Sequence, residues 1–379
     1  MRIEPFGVEI WMNEFENSCE LNLAETCVDS LTVEELLDMT GTSPERLLAE
    51  LLPRRLGYGA IDGSDRLRRA IAALYTTIAP EQTLVTHGAI GANSLVHQTL
   101  IAAGDRVVSL VPNYQQHYSI PESLGADVHR LPLRPENGFL PELDELAAAA
   151  GPGTKLIAMS NPNNPTGALM DEAFLRDLAA IAEAAGAYVL SDEVYRGTDQ
   201  QGGGTTVSMA DLYRRGISTG SMSKAFSLAG LRLGWIAGPT DVLEQVSLHR
   251  DYNTISVGMI DDHLATLALE HADEILARSR AITRTNLAIL GDWVDGEPRL
   301  SWVRPASGTT ALIRYDLDLP SREFCLRLLT ETGVMFTPGS VLDVEGAVRV
   351  GYANRTEILV EGLRRTSRFL AAQLAPSAR

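Results

Sequence analysis

A lysine sits among small hydroxyls in Ser221-Met222-Ser223-Lys224, and Arg232 follows eight residues later. A lysine amine can form a Schiff base with an aldehyde, while hydroxyls and free backbone N–H groups can hold a phosphate. Alone, such a lysine reads as a solvated side chain after a strand. Three upstream groups tip the balance. Asn164 belongs to Asn161-Pro162-Asn163-Asn164-Pro165-Thr166-Gly167, where two prolines and a glycine fix an irregular loop from which amides can reach outward. Asp192 closes an apolar strand, which predicts burial and therefore a cationic or hydrogen-bonding partner. A protonated pyridine nitrogen would serve, and Tyr195, three residues on, can reach a phenolic oxygen of the same ring.

Other signals are weaker one by one. Gly88, Ala89 and Ile90 lie in a glycine-containing turn that opens a helix, a setting suited to phosphate. Tyr114, after Pro112-Asn113, can stack on a flat ring, although a core role is the plainer reading. Arg349, in Val348-Arg349-Val350-Gly351-Tyr352, is the C-terminal candidate for a bidentate grip on a carboxylate, against a surface ion pair. Arg250 reads as the partner of its neighbour Asp251, with a distal substrate carboxylate across a dimer as the alternative. Cys27 reads as a packed, inert thiol that can also face a pocket.

These groups need elements that bring them together. From Thr83 onward short apolar runs alternate with helical patterns: strands at 83–86, 106–111, 128–131, 155–159, 188–191 and 216–220, and helices at 91–102, 115–124, 141–150 and 171–185. This alternation predicts a mostly parallel sheet covered by helices with right-handed crossovers. Ligands of such sheets bind beyond the carboxyl ends of the strands, and the candidate residues from Thr86 to Ser223 fall there. A further strand is predicted over 231–237 and helices over 242–250, 259–270 and 273–293. The tail, with strands at 309–314, 334–337 and 348–351 and helices at 322–332 and 356–370, reads as a compact α+β unit. Upstream, Pro5 to Phe15 reads as a short amphipathic helix and Glu20 to Cys27 as extended. Ser43 is a helix N-cap with Pro44 at the first helical position.

The chain has 379 residues and a net charge of −17, which argues for more than one domain and against nucleic acid or an anionic membrane as partner. Its three cysteines have no metal-type spacing, so neither a metal site nor a disulfide framework is expected. No signal peptide or membrane-spanning run is evident, which predicts a cytoplasmic protein.

In combination, NPNNPTG, SDEVY, SMSK with its arginine and RVGYA resemble the fold-type I pyridoxal-phosphate enzymes, specifically the class I/II aminotransferases of the aspartate aminotransferase superfamily. The resemblance runs from about Tyr58 to the end. It implies a large domain (55–272) with a mostly parallel sheet that binds pyridoxal 5′-phosphate and a small α+β domain (273–379). An N-terminal segment (1–54) would pack on the small domain and the mouth of the site. Lys224 would carry the cofactor as a Schiff base and shuttle the proton between the substrate α-carbon and the cofactor C4′. Asp192 would pair with the pyridinium nitrogen, Tyr195 and Asn164 with the ring oxygen, and Tyr114 would stack on the ring. Ser221, Ser223, Arg232 and the backbone of Gly88, Ala89 and Ile90 would hold the phosphate. Arg349, with Asn164, would take the substrate carboxylate. Tyr58 matches the tyrosine that reaches the phosphate of a neighbouring subunit, which implies a homodimer with shared sites. Nearby cations and partial burial are expected to favour a neutral Lys224 amine.

The substrates so implied are an L-amino acid and a 2-oxo acid. Leu133-Arg-Pro-Glu-Asn-Gly-Phe139 and Arg250-Asp-Tyr252 also resemble capreomycidine synthases, and Leu21-Asn-Leu-Ala-Glu25 a segment of pyridoxal-phosphate-dependent arginine oxidases. An arginine-like substrate is therefore the alternative. Cys27 and Ser221 depart from the histidine and the acidic residue of those oxidases, which counts against oxidase chemistry.

Overall fold

Alternation with a period of two builds the main sheet. Val107, Leu156, Ala158 and Leu190 enter the core on one face. Their neighbours Val108, Ile157, Met159 and Val189 enter the core on the other. Both faces are thus apolar, and each fully buried aliphatic side chain contributes about 1.5–3 kcal/mol. The computed structural model describes residues 2–373. In chain order its strands begin with β1 (Leu21–Asn22), β2 (Thr83–Thr86), β3 (Arg106–Val111), β4 (Asp127–Pro132), β5 (Thr154–Ser160), β6 (Tyr188–Asp192), β7 (Gly216–Ser221) and β8 (Gly234–Ala237). They continue with β9 (Leu300–Trp302), β10 (Thr310–Tyr315), β11 (Val334–Met335), β12 (Thr337–Pro338) and β13 (Ala347–Gly351). The large sheet has seven strands in the order β2-β8-β7-β6-β5-β3-β4. Only β8 runs against its neighbours. It therefore enters at the edge where the others end, which carries Arg232 to the side of Ser221 and Gly88.

A four-stranded antiparallel sheet, β12-β13-β10-β9, forms the C-terminal part, and β1 pairs in parallel with β11. The helix Ala272–Gly296 joins the two sheets. Its Ile275 and Leu276 belong to the core beside the large sheet, and its Leu287, Leu290 and Val294 to the core under the small one. The N-terminal helix Gly7–Phe15 seats Trp11 in that second core, where the indole N–H donates to the Phe336 carbonyl at 2.9 Å.

Several sequence expectations are corrected. The strand predicted from Leu231 begins only at Gly234, because Ala229–Leu231 is a 3-10 turn and Arg232 takes a left-handed backbone (φ 49°). The run 334–337 divides into β11 and β12 around Phe336, whose carbonyl is turned to Trp11. Strand β9 was not anticipated, and the helix expected from Gly91 starts at Gly88. Of the extended stretch 20–27 only β1 is strand. Arg250 does not pair with Asp251: it is buried and donates to Asp62 at 2.7 Å and to the Val85 carbonyl at 3.2 Å. A guanidinium facing the core needs acceptors there, and its sequence neighbour cannot supply them. Residues 374–379 of the expected small domain lie outside the described residues. Among the described residues no helix is long and apolar enough to cross a membrane.

Gly234 sets how closely the sheet approaches the helix at Gly88. A Cβ there would stand 2.4 Å from the Gly88 carbonyl carbon and 2.6 Å from the Ala89 nitrogen, both rigid backbone. Gly234→Ala is expected to cost about 1–3 kcal/mol by overpacking, read as a lowered urea midpoint with unchanged slope. An unchanged midpoint would show that this approach is not tight.

Candidate active site

Every cofactor or substrate candidate from the sequence except Tyr58 and Arg250 lines one cleft of about 310 Å³. The cleft lies where the parallel strands end, and each strand delivers its residue in turn. Asp192 is the last residue of β6, Ser221 the last of β7, and Ser160 of β5 leads into the loop that carries Asn164. Tyr58 stands apart, 71 % exposed.

Asp192 is buried and closely held. One carboxylate oxygen accepts from the Asn93 amide at 2.7 Å and the other from the Val194 backbone N–H at 3.2 Å. Asn93 is oriented in turn by the Thr219 hydroxyl, which donates to its carbonyl at 2.7 Å. His117 Nε2 lies 3.6 Å from the carboxylate, and its other ring nitrogen 3.4 Å from His97. Burial, and after it the neighbouring His117, push the His97 pKa well below the ordinary histidine value, so His97 stays neutral. These partners fix a negative charge facing into the cleft.

At the other end, the helix Gly88–Leu100 begins without a side-chain cap. Its first N–H groups and its positive dipole end face the cleft beside Ser221, Ser223 and Arg232. Gly88 has φ 66°, and a Cβ on it would meet the Arg232 guanidinium at 3.4 Å. An uncapped helix start, two hydroxyls and an arginine are the donor set of a phosphate site. A phosphate at one end, an anion for a ring cation at the other and a lysine between them fit pyridoxal phosphate.

Arg349, in β13, reaches the cleft from the small sheet. Its terminal nitrogens donate to the Asn164 side-chain oxygen (3.3 Å), the Ala24 carbonyl (3.2 Å) and Thr337 (3.1 Å), while its buried Nε has no partner. Tyr114 stacks at a tilt against Phe6, 4.8 Å between centroids, and its hydroxyl donates to Glu9 at 2.9 Å. Burial and the Glu9 carboxylate raise its pKa well above the usual tyrosine value.

The sequence reading missed the groups around the lysine. Lys224 Nζ donates to the Thr26 hydroxyl at 2.6 Å and lies 3.5 Å from the Cys27 sulfur. Glu25 is held by the backbone N–H groups of Thr26 and Cys27, at 2.7 and 2.9 Å. Burial acts to lower the Lys224 pKa, but Cys27, Tyr195 and Glu25 outweigh it, and the amine's pKa is raised. Cys27, Tyr195 and the Glu25 carboxylate thus act against the neutral amine that burial alone favours. Glu25 is correspondingly lowered; burial resists this, and Lys224 leads the effects that overcome it. No periodic signal marks residues 25–27. Asn93 and His117 were also missed; one sits inside a helix, the other in a helix containing Pro121, and only the fold aims them at Asp192.

The sheet, the cleft and its donors define a two-sheet α/β protein with a buried lysine among the strand ends that line its cleft. Residues 27–365 match the model of the aminotransferase class I and II family. A capreomycidine synthase of Streptomyces vinaceus is 31 % identical over 94 % of this chain and 91 % of its own. An arginine–pyruvate transaminase of Pseudomonas aeruginosa is 30 % identical over 98 % and 97 %. The crystal structure of a pyridoxal-phosphate-dependent aminotransferase from Streptococcus suis superposes with a TM-score of 0.96 at 44 % identity over the whole of both chains. The chain belongs to the class I and II aminotransferases, and it is a pyridoxal 5′-phosphate-dependent transferase that moves an amino group between an amino acid and a 2-oxo acid.

Cys27 faces the cleft, but burial pushes its thiol pKa up to about 11, with Lys224 opposing. At pH 8 only roughly one such thiol in a thousand is ionised, against about a quarter of unperturbed cysteines. Alkylation of Cys27 by iodoacetamide, followed by peptide mass mapping, is expected to run about a hundredfold slower at pH 8 than for a peptide thiol, and to accelerate up to about pH 11. Equal rates at pH 8 would mean that the thiolate is stabilised.

Proposed function

We propose that Lys224 is the group through which this aminotransferase handles its cofactor and its substrate proton. The observation that carries the reading is that Lys224, Asp192 and Arg349 line a single cleft with the phosphate-type donors at its end. Bound pyridoxal phosphate supplies an electron sink for the pair left on the α-carbon when its proton is removed. Asp192 would hold the proton on the ring nitrogen, with the Asn93 amide and the Val194 N–H keeping its carboxylate oriented for that purpose. Tyr195 and Asn164 donate to the ring oxygen, and Tyr114 covers one ring face. Gly88, Ala89, Ile90, Ser221, Ser223 and Arg232 hold the phosphate. Arg349, its Nε still lacking an acceptor, grips the α-carboxylate and so turns the α-hydrogen toward Lys224. In its neutral form the amine would take that proton and pass it to the cofactor's C4′, with Thr26 at 2.6 Å and Cys27 at 3.5 Å as its nearest contacts.

The large sheet and the small sheet support a division into a large domain over 55–272, a small domain from 273 and an N-terminal segment that walls the cleft. We also infer a homodimer. Leu52, Leu56, Tyr58, Leu248 and Tyr252 are exposed, the last at 97 %, and the Ser256 hydroxyl, donating to the Tyr58 carbonyl at 3.2 Å, ties Tyr58 to the stretch that follows Tyr252. Exposed apolar groups of this kind call for a covering partner, and a second copy would bring its Tyr58 to the phosphate end of this cleft. A cytoplasmic location fits the chain.

Purified enzyme is expected to show an absorbance band near the edge of the visible that is absent in Lys224→Ala, and mixing with its amino acid should convert the cofactor to the amine form without oxygen uptake. Oxygen uptake with ammonia release would point to oxidase chemistry, and a cyclised product to a synthase. An unchanged spectrum in Lys224→Ala would remove the lysine from its role.

Light scattering on the eluting protein should give twice the 41.0 kDa chain mass. The double variant Leu56→Asp, Tyr252→Asp should elute as a monomer that holds the cofactor less tightly. A wild-type monomer would overturn the dimer.

A further inference from the structure

The N-terminal helix turns Val8, Glu9, Met12 and, at its C-cap, Glu16 toward the cleft. Positions 8, 12 and 16 lie four apart and 9 and 16 seven apart, so one helix face carries them all. The two carboxylates stand about 10 Å apart along the axis, with methionine and valine beside them. Neither Glu9 nor Glu16 forms an ion pair with any described residue. On the proposed assignment the charges of Asp192, Arg232, Arg349 and Lys224 are all engaged by cofactor or α-carboxylate, and Glu25 faces Lys224. Glu9 and Glu16 remain without an ion-pair partner among the described residues, Glu9 accepting only from the Tyr114 hydroxyl at 2.9 Å.

An independent feature fixes the direction in which a substrate lies. Arg349 is 2 % exposed, lines the same cleft, and has a buried Nε without a partner. Its α-carboxylate grip leaves the substrate side chain as the part free to meet the helix wall. Burial lowers the Arg349 pKa while Tyr195, Glu25 and Glu9 act against it, and Glu9, Glu16 and Arg349 line one cleft, so the acidic wall and the carboxylate grip share one space. Arg250, for which a distal carboxylate was the alternative partner, is spent on Asp62.

Resting on the aminotransferase reading, we propose that the amino donor is an L-amino acid with a cationic side chain, its methylene stem along Met12 and Val8 and its guanidinium or ammonium at Glu16 and Glu9. An apolar wall with carboxylates suits a flexible cationic chain. A side chain ending in a carboxylate meets only like charge there.

The test is calorimetric binding of L-arginine, L-ornithine, L-norleucine and L-glutamate to cofactor-loaded Lys224→Ala, where turnover does not intrude, beside the half-reaction of the wild type. A cationic amino acid should bind at least about tenfold tighter than norleucine, the difference expected from one charge-assisted hydrogen bond. Glu16→Gln should erase most of that preference, and Glu16→Lys should shift it toward glutamate. Norleucine or glutamate binding as well as the cationic amino acids would overturn the proposal. Preferential binding of the cationic amino acid without cofactor conversion in the wild type would instead overturn the transamination reading and leave this one standing.

Discussion

A carboxylate held in a nearly dry place is the constraint on which the rest of this structure depends. Asp192 is 4 % exposed, and an ion buried that far costs several kcal/mol unless hydrogen bonds and opposite charge offset it. Its partners come from three stretches: Asn93 from the helix after β2, His117 from the helix after β3, and Val194 from the turn after β6. Thr219, on the adjacent β7, sets Asn93. The sheet order places β6 in the middle of the seven strands, and this central position lets helices from both halves converge on one residue. The same convergence leaves the ends of β5, β6 and β7 around one cleft.

The distance between the two sides of that cleft is set by the helix Ala272–Gly296. Ser279 donates to the Ala225 carbonyl at 2.7 Å, next to Lys224, and Asn286 donates to the Tyr352 and Asn354 carbonyls at 2.8 and 2.7 Å, just past Arg349. Seven residues of helix, about 10 Å, therefore separate the anchor of the lysine loop from the anchor of the arginine strand. Because both anchors are buried polar contacts, the helix cannot slide without leaving acceptors unsatisfied. The N-terminal segment closes the remaining side, with Trp11 in the small core and Tyr114 meeting Glu9.

The sheet was legible because its strands are short apolar runs separated by helices of regular period. The faces were not assigned from the sequence; the structure sends Val107 and Val108 to opposite sides of the sheet. The boundaries failed where a tertiary demand overrode the pattern: Arg232 takes a left-handed backbone to reach Gly88, which shortens β8. Arg250 was misread for a related reason. Sequence proximity suggested Asp251, whereas burial required an acceptor reaching across from Asp62, and pairings of residues 188 apart leave no local trace.

The division between what was legible and what was not follows the chemistry of the cleft. The residues proposed for the cofactor lie in compact runs, since a ring and a phosphate of fixed size must be met by several groups of one loop or one strand end. Lys224, Ser221 and Ser223 are such a run, and Asn164 lies in another. Arg349 was legible within its strand motif, but the remaining residues of the cleft come from distant stretches: Thr26 and Glu25 from the irregular segment after β1, Glu9 from the first helix. Each is one polar side chain in an otherwise ordinary element, and what distinguishes it is where the fold sends it. Lys224 shows the consequence. Read from its own loop, its amine has no polar partners; Thr26 and Cys27, nearly two hundred residues upstream, supply them. The surroundings of Lys224 are therefore a property of the assembled cleft, to which the N-terminal segment contributes one wall.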